Sequence, residues 1–230
     1  MRIQENSELI SDCIHKVRAM LQYGQAQLGK LSIPAVQSEL LACTKFCIYS
    51  TLHRGYYHPS PVYDLIVGNT KRGRLQSNMT DYVSHQYFYN ASGRLERIES
   101  FSCGRTAFIE LLQYQDGIIL GTTLDSNGRL AAVCEEVYED DRITTLYLVN
   151  CFFDGNQYVA YDYRREKYIY DDIGISACDF VSFSPQSKNI IHKTYEFQRE
   201  DGYLVSFSEM LQNRTDVKVT KYQITKKRKA

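Results

Sequence analysis

Four glycine-bearing reversals limit what this chain can become: Asn90-Ala91-Ser92-Gly93, Asp125-Ser126-Asn127-Gly128, Asp154-Gly155-Asn156 and Glu200-Asp201-Gly202. Each supplies a glycine that tolerates positive φ, next to stretches in which apolar and polar residues alternate. Alternation of period two puts one face of a strand inward, and a short turn makes the next strand its antiparallel neighbour. The flanks of the first reversal are Tyr87-Phe88-Tyr89 and Leu95-Glu96-Arg97-Ile98; those of the second are residues 118–124 and 129–137. Tyr195-Glu196-Phe197 and Tyr203-Leu204-Val205 enclose the last. A fifth reversal is expected at Arg164-Arg165-Glu166, between Tyr161-Asp162-Tyr163 and Tyr168-Ile169-Tyr170. The reading for residues 82–230 is a meander of about ten antiparallel strands, an open sheet or a partly closed barrel.

The period differs at the start of the chain. Ile10, Cys13, Ile14, Val17 and Leu21 recur at helical spacing, with Asn6 or Ser7 to cap the start and Gly24 to end it. A second helix is expected after Pro34, with Val36, Leu40, Cys43 and Cys47 on one face. The fold class is therefore α+β: an N-terminal helical pair over 1–53, a loop-rich connection over 54–81, and the sheet, packed as one compact unit. The chain has 19 Tyr and 10 Phe but no Trp, and most of these rings fall in the alternating stretches, where they pack well on a pleated surface.

The first two turns share Asn/Asp-x-x-Gly-Arg-Leu, at Asn90 to Leu95 and Asp125 to Leu130. With its preceding ring, Tyr89-Asn90-Ala91-Ser92-Gly93-Arg94-Leu95 resembles the Tyr-Asp-x-x-Gly-Arg-Leu core of the YD repeats of RHS-type proteins. That resemblance implies β-hairpins wound into a larger shell. It covers about seven residues, and the second copy has Leu124 where the motif has Tyr.

Charge excludes some partners. Lys plus Arg and Asp plus Glu are 27 each, so no global field gathers nucleic acid or an anionic membrane. Lys226-Lys227-Arg228-Lys229 reads as a solubilising tail. No stretch approaches a membrane span, and Met1 to Asn6 lacks the pattern of a secretion signal. The seven Cys, an odd number with no C-x-x-C pair, read as free thiols in a reducing compartment, so a cytoplasmic location is expected.

No constellation meets the demands of a reaction. Gly68-Asn69-Thr70-Lys71-Arg72-Gly73-Arg74-Leu75 follows a phosphate loop only superficially, since Arg74 stands at the Lys position and Leu75 at the hydroxyl. The histidines at 15, 53, 58, 85 and 192 show no metal-ligand spacing. The acidic run Glu135, Glu136, Glu139, Asp140 and Asp141 lacks the alternation and glycine of a calcium loop. No catalytic residue, metal or cofactor is expected.

The richest stretch is 158–172, in which Tyr161, Tyr163, Arg164, Arg165, Tyr168 and Tyr170 are the candidate binding residues. Interleaved tyrosine and arginine bring large contact area with polar handles, and the competing reading is cross-strand packing. The functional expectation is a non-enzymatic protein-binding module of the immunity or accessory kind, with another protein as partner. An enzyme or small-ligand protein is the alternative, with a cleft between helices and sheet lined by His53, Tyr57, His58 and residues near Arg105. A homo-oligomer formed through a sheet edge is a third.

Overall fold

A computed structural model describes residues 2–28, 43–48, 55–66, 73–80, 82–200, 203–211 and 218–223. Among these residues the helices are α1 (Arg2–Leu28) and the single turn α2 (Tyr63–Ile66). The strands are β1 (Cys43–Ile48), β2 (Arg74–Gln76), β3 (Val83–Tyr89), β4 (Leu95–Ser102), β5 (Arg105–Gln115), β6 (Ile118–Asp125) and β7 (Leu130–Glu139). They continue with β8 (Arg142–Phe153), β9 (Tyr158–Tyr170), β10 (Ile175–Ser184), β11 (Asn189–Glu200), β12 (Tyr203–Leu211) and β13 (Lys218–Gln223).

Among the described residues these strands form one antiparallel sheet in the order β13 through β3, then β1 and β2. From β3 onward every strand lies beside its sequence neighbour; only β1 breaks the meander, inserted between β2 and β3. The sheet is open, with β13 and β2 at its two ends.

The turns explain the repeated motif. Asn90 N–H donates to the Arg94 carbonyl at 2.9 Å and Asp125 N–H to the Arg129 carbonyl at 2.8 Å. The side-chain Oδ1 of each accepts backbone N–H groups two and four residues on. Gly93 and Gly128 take φ of 78° and 74°, the left-handed residue of a type I turn with a bulge. Arg94 then lies over the Tyr114 ring and Arg129 over the Phe153 ring, while Leu95 and Leu130 enter the core. Cap, left-handed glycine, cation–π arginine and core leucine account for Asx-x-x-Gly-Arg-Leu residue by residue.

One expectation about the turns is corrected. Arg164-Arg165-Glu166 is no reversal but the middle of β9, because it holds no glycine, proline or Asx to reverse the chain. The reversals that flank β9 are Asp154 to Gln157 and Asp171 to Gly174, and in each the aspartate carboxylate caps backbone N–H groups. The acidic run ends in another tight turn, with Asp140 and Asp141 at φ 48° and 60° between paired Glu139 and Arg142. The fourth reversal, at Asp201-Gly202, lies outside the described residues.

The helical pair is also corrected. Cys43 and Cys47 of the expected second helix sit in β1, paired to Tyr89 and His85. Thr44, Phe46 and Ile48 alternate with them and favour a strand, and pairing to two neighbours overrides the helical spacing of the cysteines. The expected start at Pro34 lies outside the described residues. Helix α1 runs past Gly24 to Leu28. Its stripe Cys13, Val17, Met20, Gly24 and Gln27 steps by four and three residues and is buried.

This stripe crosses the strands on one sheet face, where register aligns Val133, Val149, Tyr163 and Phe183. Each fully buried aliphatic side chain there contributes about 1.5–3 kcal/mol. Lys16 fixes the edge of the contact: its Nζ lies 2.6 Å from Glu135 Oε1 and 4.0 Å from the Tyr147 ring centroid. At Gly24 the helix comes so close that a Cβ would lie 2.6 Å from Val133 Cγ2.

Candidate functional site

The opposite sheet face is covered in one part and open in another. Residues 55–66 lie across it as a strap. Tyr56 N–H donates to the Tyr87 hydroxyl at 2.5 Å, and Val62 packs with Leu146, Tyr168, Cys178 and Tyr195. The strap is held by two buried carboxylates that register places on either side of Leu146, Glu136 on β7 and Glu166 on β9. Glu136 accepts from the Tyr57 and Tyr138 hydroxyls at 3.2 and 3.0 Å. Glu166 accepts from Ser60 Oγ at 2.6 Å and Tyr168 Oη at 2.7 Å.

Arg164 Nε stands 3.1 Å from Glu166 Oε1, and its guanidinium lies over the Tyr63 ring. Burial and the neighbouring glutamate charge push the Tyr138 and Tyr168 phenols up, so both remain hydroxyl donors. The network joins strap to sheet. With Glu166 0% and Glu136 1% exposed, it offers a reagent no access and reads as structural.

The six candidate binding residues separate accordingly. Tyr163 is buried beneath α1, and Arg165 on that face pairs with Asp179 at 2.8 Å. Arg164 and Tyr168 belong to the strap network on the other face. Tyr170 is half-buried and donates its hydroxyl to the Ile143 carbonyl. Tyr161 is 48% exposed. A period-two strand splits adjacent side chains between faces, so no single surface collects all six.

Of the alternative set, His58 accepts the Ser60 N–H at 3.0 Å and stacks on Tyr63 at 3.9 Å. His58 and Tyr57 therefore sit on the face opposite α1, not between helix and sheet. Arg105 is exposed at the start of β5, and His53 lies outside the described residues. Asp179 is flanked by Arg165 and His192; burial pushes its carboxyl up, but hydrogen bonds and charge from these partners outweigh that and hold it below the usual 3.8. The described residues of the phosphate-loop stretch, 73–75, lead into β2, and the tail at 226–229 lies outside the described residues. Among the described residues no three His, Cys, Asp or Glu converge on a metal position, and no helix is long and apolar enough to cross a membrane.

The open part of the strap-bearing face is a groove of about 470 Å³ at the turn end of β5–β9. Register sets the row Glu110, Thr123, Ala132, Asn150 and Asp162 across five strands, and the short side chains of Thr123 and Ala132 make its floor. Phe108 on β5 and Phe152 on β8 wall it, 38% and 44% exposed. Tyr161 joins Phe152 through a bulge: Asn150 pairs with Asp162 and Cys151 with Ala160, so Tyr161 is the extra residue of β9. Its ring centroid lies 6.2 Å from that of Phe152. Asn150 Nδ2 donates to Asp162 Oδ2 at 2.9 Å, and Asp125 and Arg129 stand at the rim.

Of the six candidate binding residues, Tyr161 is the one that lines this groove. Phe108 and Phe152 gave no local signal, because a phenylalanine in an alternating strand ordinarily faces the core, and the bulge that re-aims Tyr161 is a property of pairing. No protein-family model matches the chain, and no curated protein matches it.

Proposed function

We propose that the protein is a non-enzymatic protein-binding module that recognises its partner through the groove walled by Phe108, Phe152 and Tyr161. One observation carries the reading: on a sheet whose other aromatic rings largely fill the interior, three are exposed around one groove, and one of them is placed there by a bulge. Exposed aromatic clusters of this kind mark interaction sites, because such rings bring large contact area at low entropic cost. An odd number of cysteines with no C-x-x-C pair supports a reducing, cytoplasmic setting, in which an immunity or accessory protein would act by occupying its target.

A small-ligand cleft between α1 and the sheet is less well supported. The cavity there, lined by Lys16, Met20, Tyr23 and Glu135 among others, holds about 190 Å³, short of the roughly 300 Å³ at which ligand pockets begin.

The test is a photoreactive phenylalanine analogue at position 152, with the same analogue at Ile169, an apolar position that is more exposed still, as control. A discrete adduct formed from 152, absent from 169 and lost on Tyr161→Ser is the expected result. Equal, diffuse labelling from both positions would remove the reading.

A further inference from the structure

Resting on that reading of the groove, we infer that Asn150 and Asp162 are its positioning residues: their hydrogen bond locks the β9 bulge in place and so fixes where Tyr161 presents its ring. The bulge is an insertion into an otherwise regular strand. Ala160 packs on the α1 side with Cys151, and Asp162 lies on the groove side opposite Asn150, as consecutive residues of a plain strand would. Tyr161 is added between them, and its ring emerges in the groove beside Phe152.

An extra residue has to be held at one position, because register slips wherever neighbouring strands specify it weakly. This end of β9 has little to specify it. β10 stays beside β9 only as far as the pair of Phe183 with Tyr163 and reverses at Pro185, so among the described residues 158–162 find their ladder partners on β8 alone.

Packing fixes the residues on either side of the bulge. Ala160, paired with Cys151, and Tyr163, paired with Val149, are both buried in the core beneath α1 and hold their places. Tyr161 and Asp162 therefore share one partner, Asn150, and something must decide which of them takes it. The deciding contact is the bond from Asn150 Nδ2 to Asp162 Oδ2, 2.9 Å long, charge-assisted and between half-buried residues. Without it Tyr161 is free to pair with Asn150, which carries its ring over the Ala132 floor and away from Phe152.

The experiment reads the ring contact in the full chain, as the NMR cross-relaxation between Phe152 and Tyr161, whose centroids lie 6.2 Å apart. Asn150→Asp sets two carboxylates face to face and is expected to abolish that signal and to cut the adduct formed from position 152 by about tenfold. Asn150→Leu, which removes the donor without adding a charge, should do the same. Exchanging the roles, Asn150→Asp with Asp162→Asn, restores a donor and an acceptor and should return both signals. Val149→Ala, a core variant beneath α1 on the same strand, should lower Tm and leave both signals in place. A ring contact that survives Asn150→Asp and Asn150→Leu, or that the exchanged pair does not return, overturns the inference, as does its loss in Val149→Ala. If Asn150→Asp abolishes the contact while the parent chain forms no discrete adduct from position 152, the positioning role stands and the protein-binding reading falls; if the contact survives while the adduct forms, the reading stands and the positioning role falls.

Discussion

Gly24→Ala places a methyl group where α1 and the sheet leave no room for it. The added Cβ would stand 2.6 Å from Val133 Cγ2 and 2.8 Å from Leu130 Cδ2. On an open helix the same change stabilises by about 1 kcal/mol, because glycine loses more backbone freedom on folding than alanine. Here Leu130 can swing a terminal methyl aside. Val133 cannot do so as easily, being β-branched and stiff about its first torsion.

Both side chains are 1% exposed among close-packed neighbours, so helix or strand must shift, and overpacking of this kind costs about 1–3 kcal/mol. The balance is a net loss of about 1 kcal/mol, which in a chain of this size lowers Tm by about 2–4 °C. Scanning calorimetry of Gly24→Ala, Val133→Ala and the double variant measures it. Because Val133→Ala removes the clashing methyl, it should cost less in the Gly24→Ala background than alone, by about 0.5 kcal/mol or more. A rise in Tm on Gly24→Ala, or strictly additive effects, would refute the close seating of α1.

Three further outcomes are expected. Glu166→Ala leaves the Arg164 guanidinium, its side chain only 15% exposed, beside no carboxylate, and should destabilise by about 3–5 kcal/mol in urea titrations, whereas a loss under about 1 kcal/mol would show that the strap network is not holding. Alkylation near neutral pH should label exposed Cys103 and spare Cys13 and Cys151, whose thiols burial pushes up to about 11 and about 12; labelling of Cys151 at the rate of Cys103 would contradict its burial. Asp179 titrates below its usual value in the folded chain, so its contribution to stability is present above about pH 4 and is lost as pH falls through the lower folded value. Asp179→Asn should flatten the acid limb of the stability curve, and an unchanged limb would place the acid sensitivity elsewhere.

The hairpin part of the fold was legible because its turns are made by local chemistry. At Asn90 and Asp125, cap, glycine, arginine and leucine are all present in the sequence, and the structure uses each of them. Asp171 to Gly174 uses similar chemistry, but Arg164-Arg165-Glu166 nearby is a charged stretch that resembles a loop tip. What settled that case is long-range: Glu166 is buried by Ser60 from a distant strap, and no local pattern announces a glutamate inside a sheet.

The second helix failed for the same reason. Cys43 and Cys47 are four apart, as on a helix, but β1 gains partners on both sides. The groove was legible only at Tyr161, since side-chain direction at a bulge follows from register, and register follows from the whole sheet.

Most of the tyrosines build the sheet, whereas Tyr161 is the one proposed to serve recognition; nitration mapping of the tyrosines, on the free protein and on its complex with the partner captured from position 152, tests this most directly. The expected map shows Tyr161 reacting early together with exposed Tyr56 and Tyr82, and Tyr87, Tyr163, Tyr168 and Tyr195 reacting only after unfolding. In the complex, protection should appear at Tyr161 and not at Tyr82. Modification of Tyr163 or Tyr168 as fast as Tyr161 in the folded chain, or undiminished reaction of Tyr161 in the complex, would contradict it.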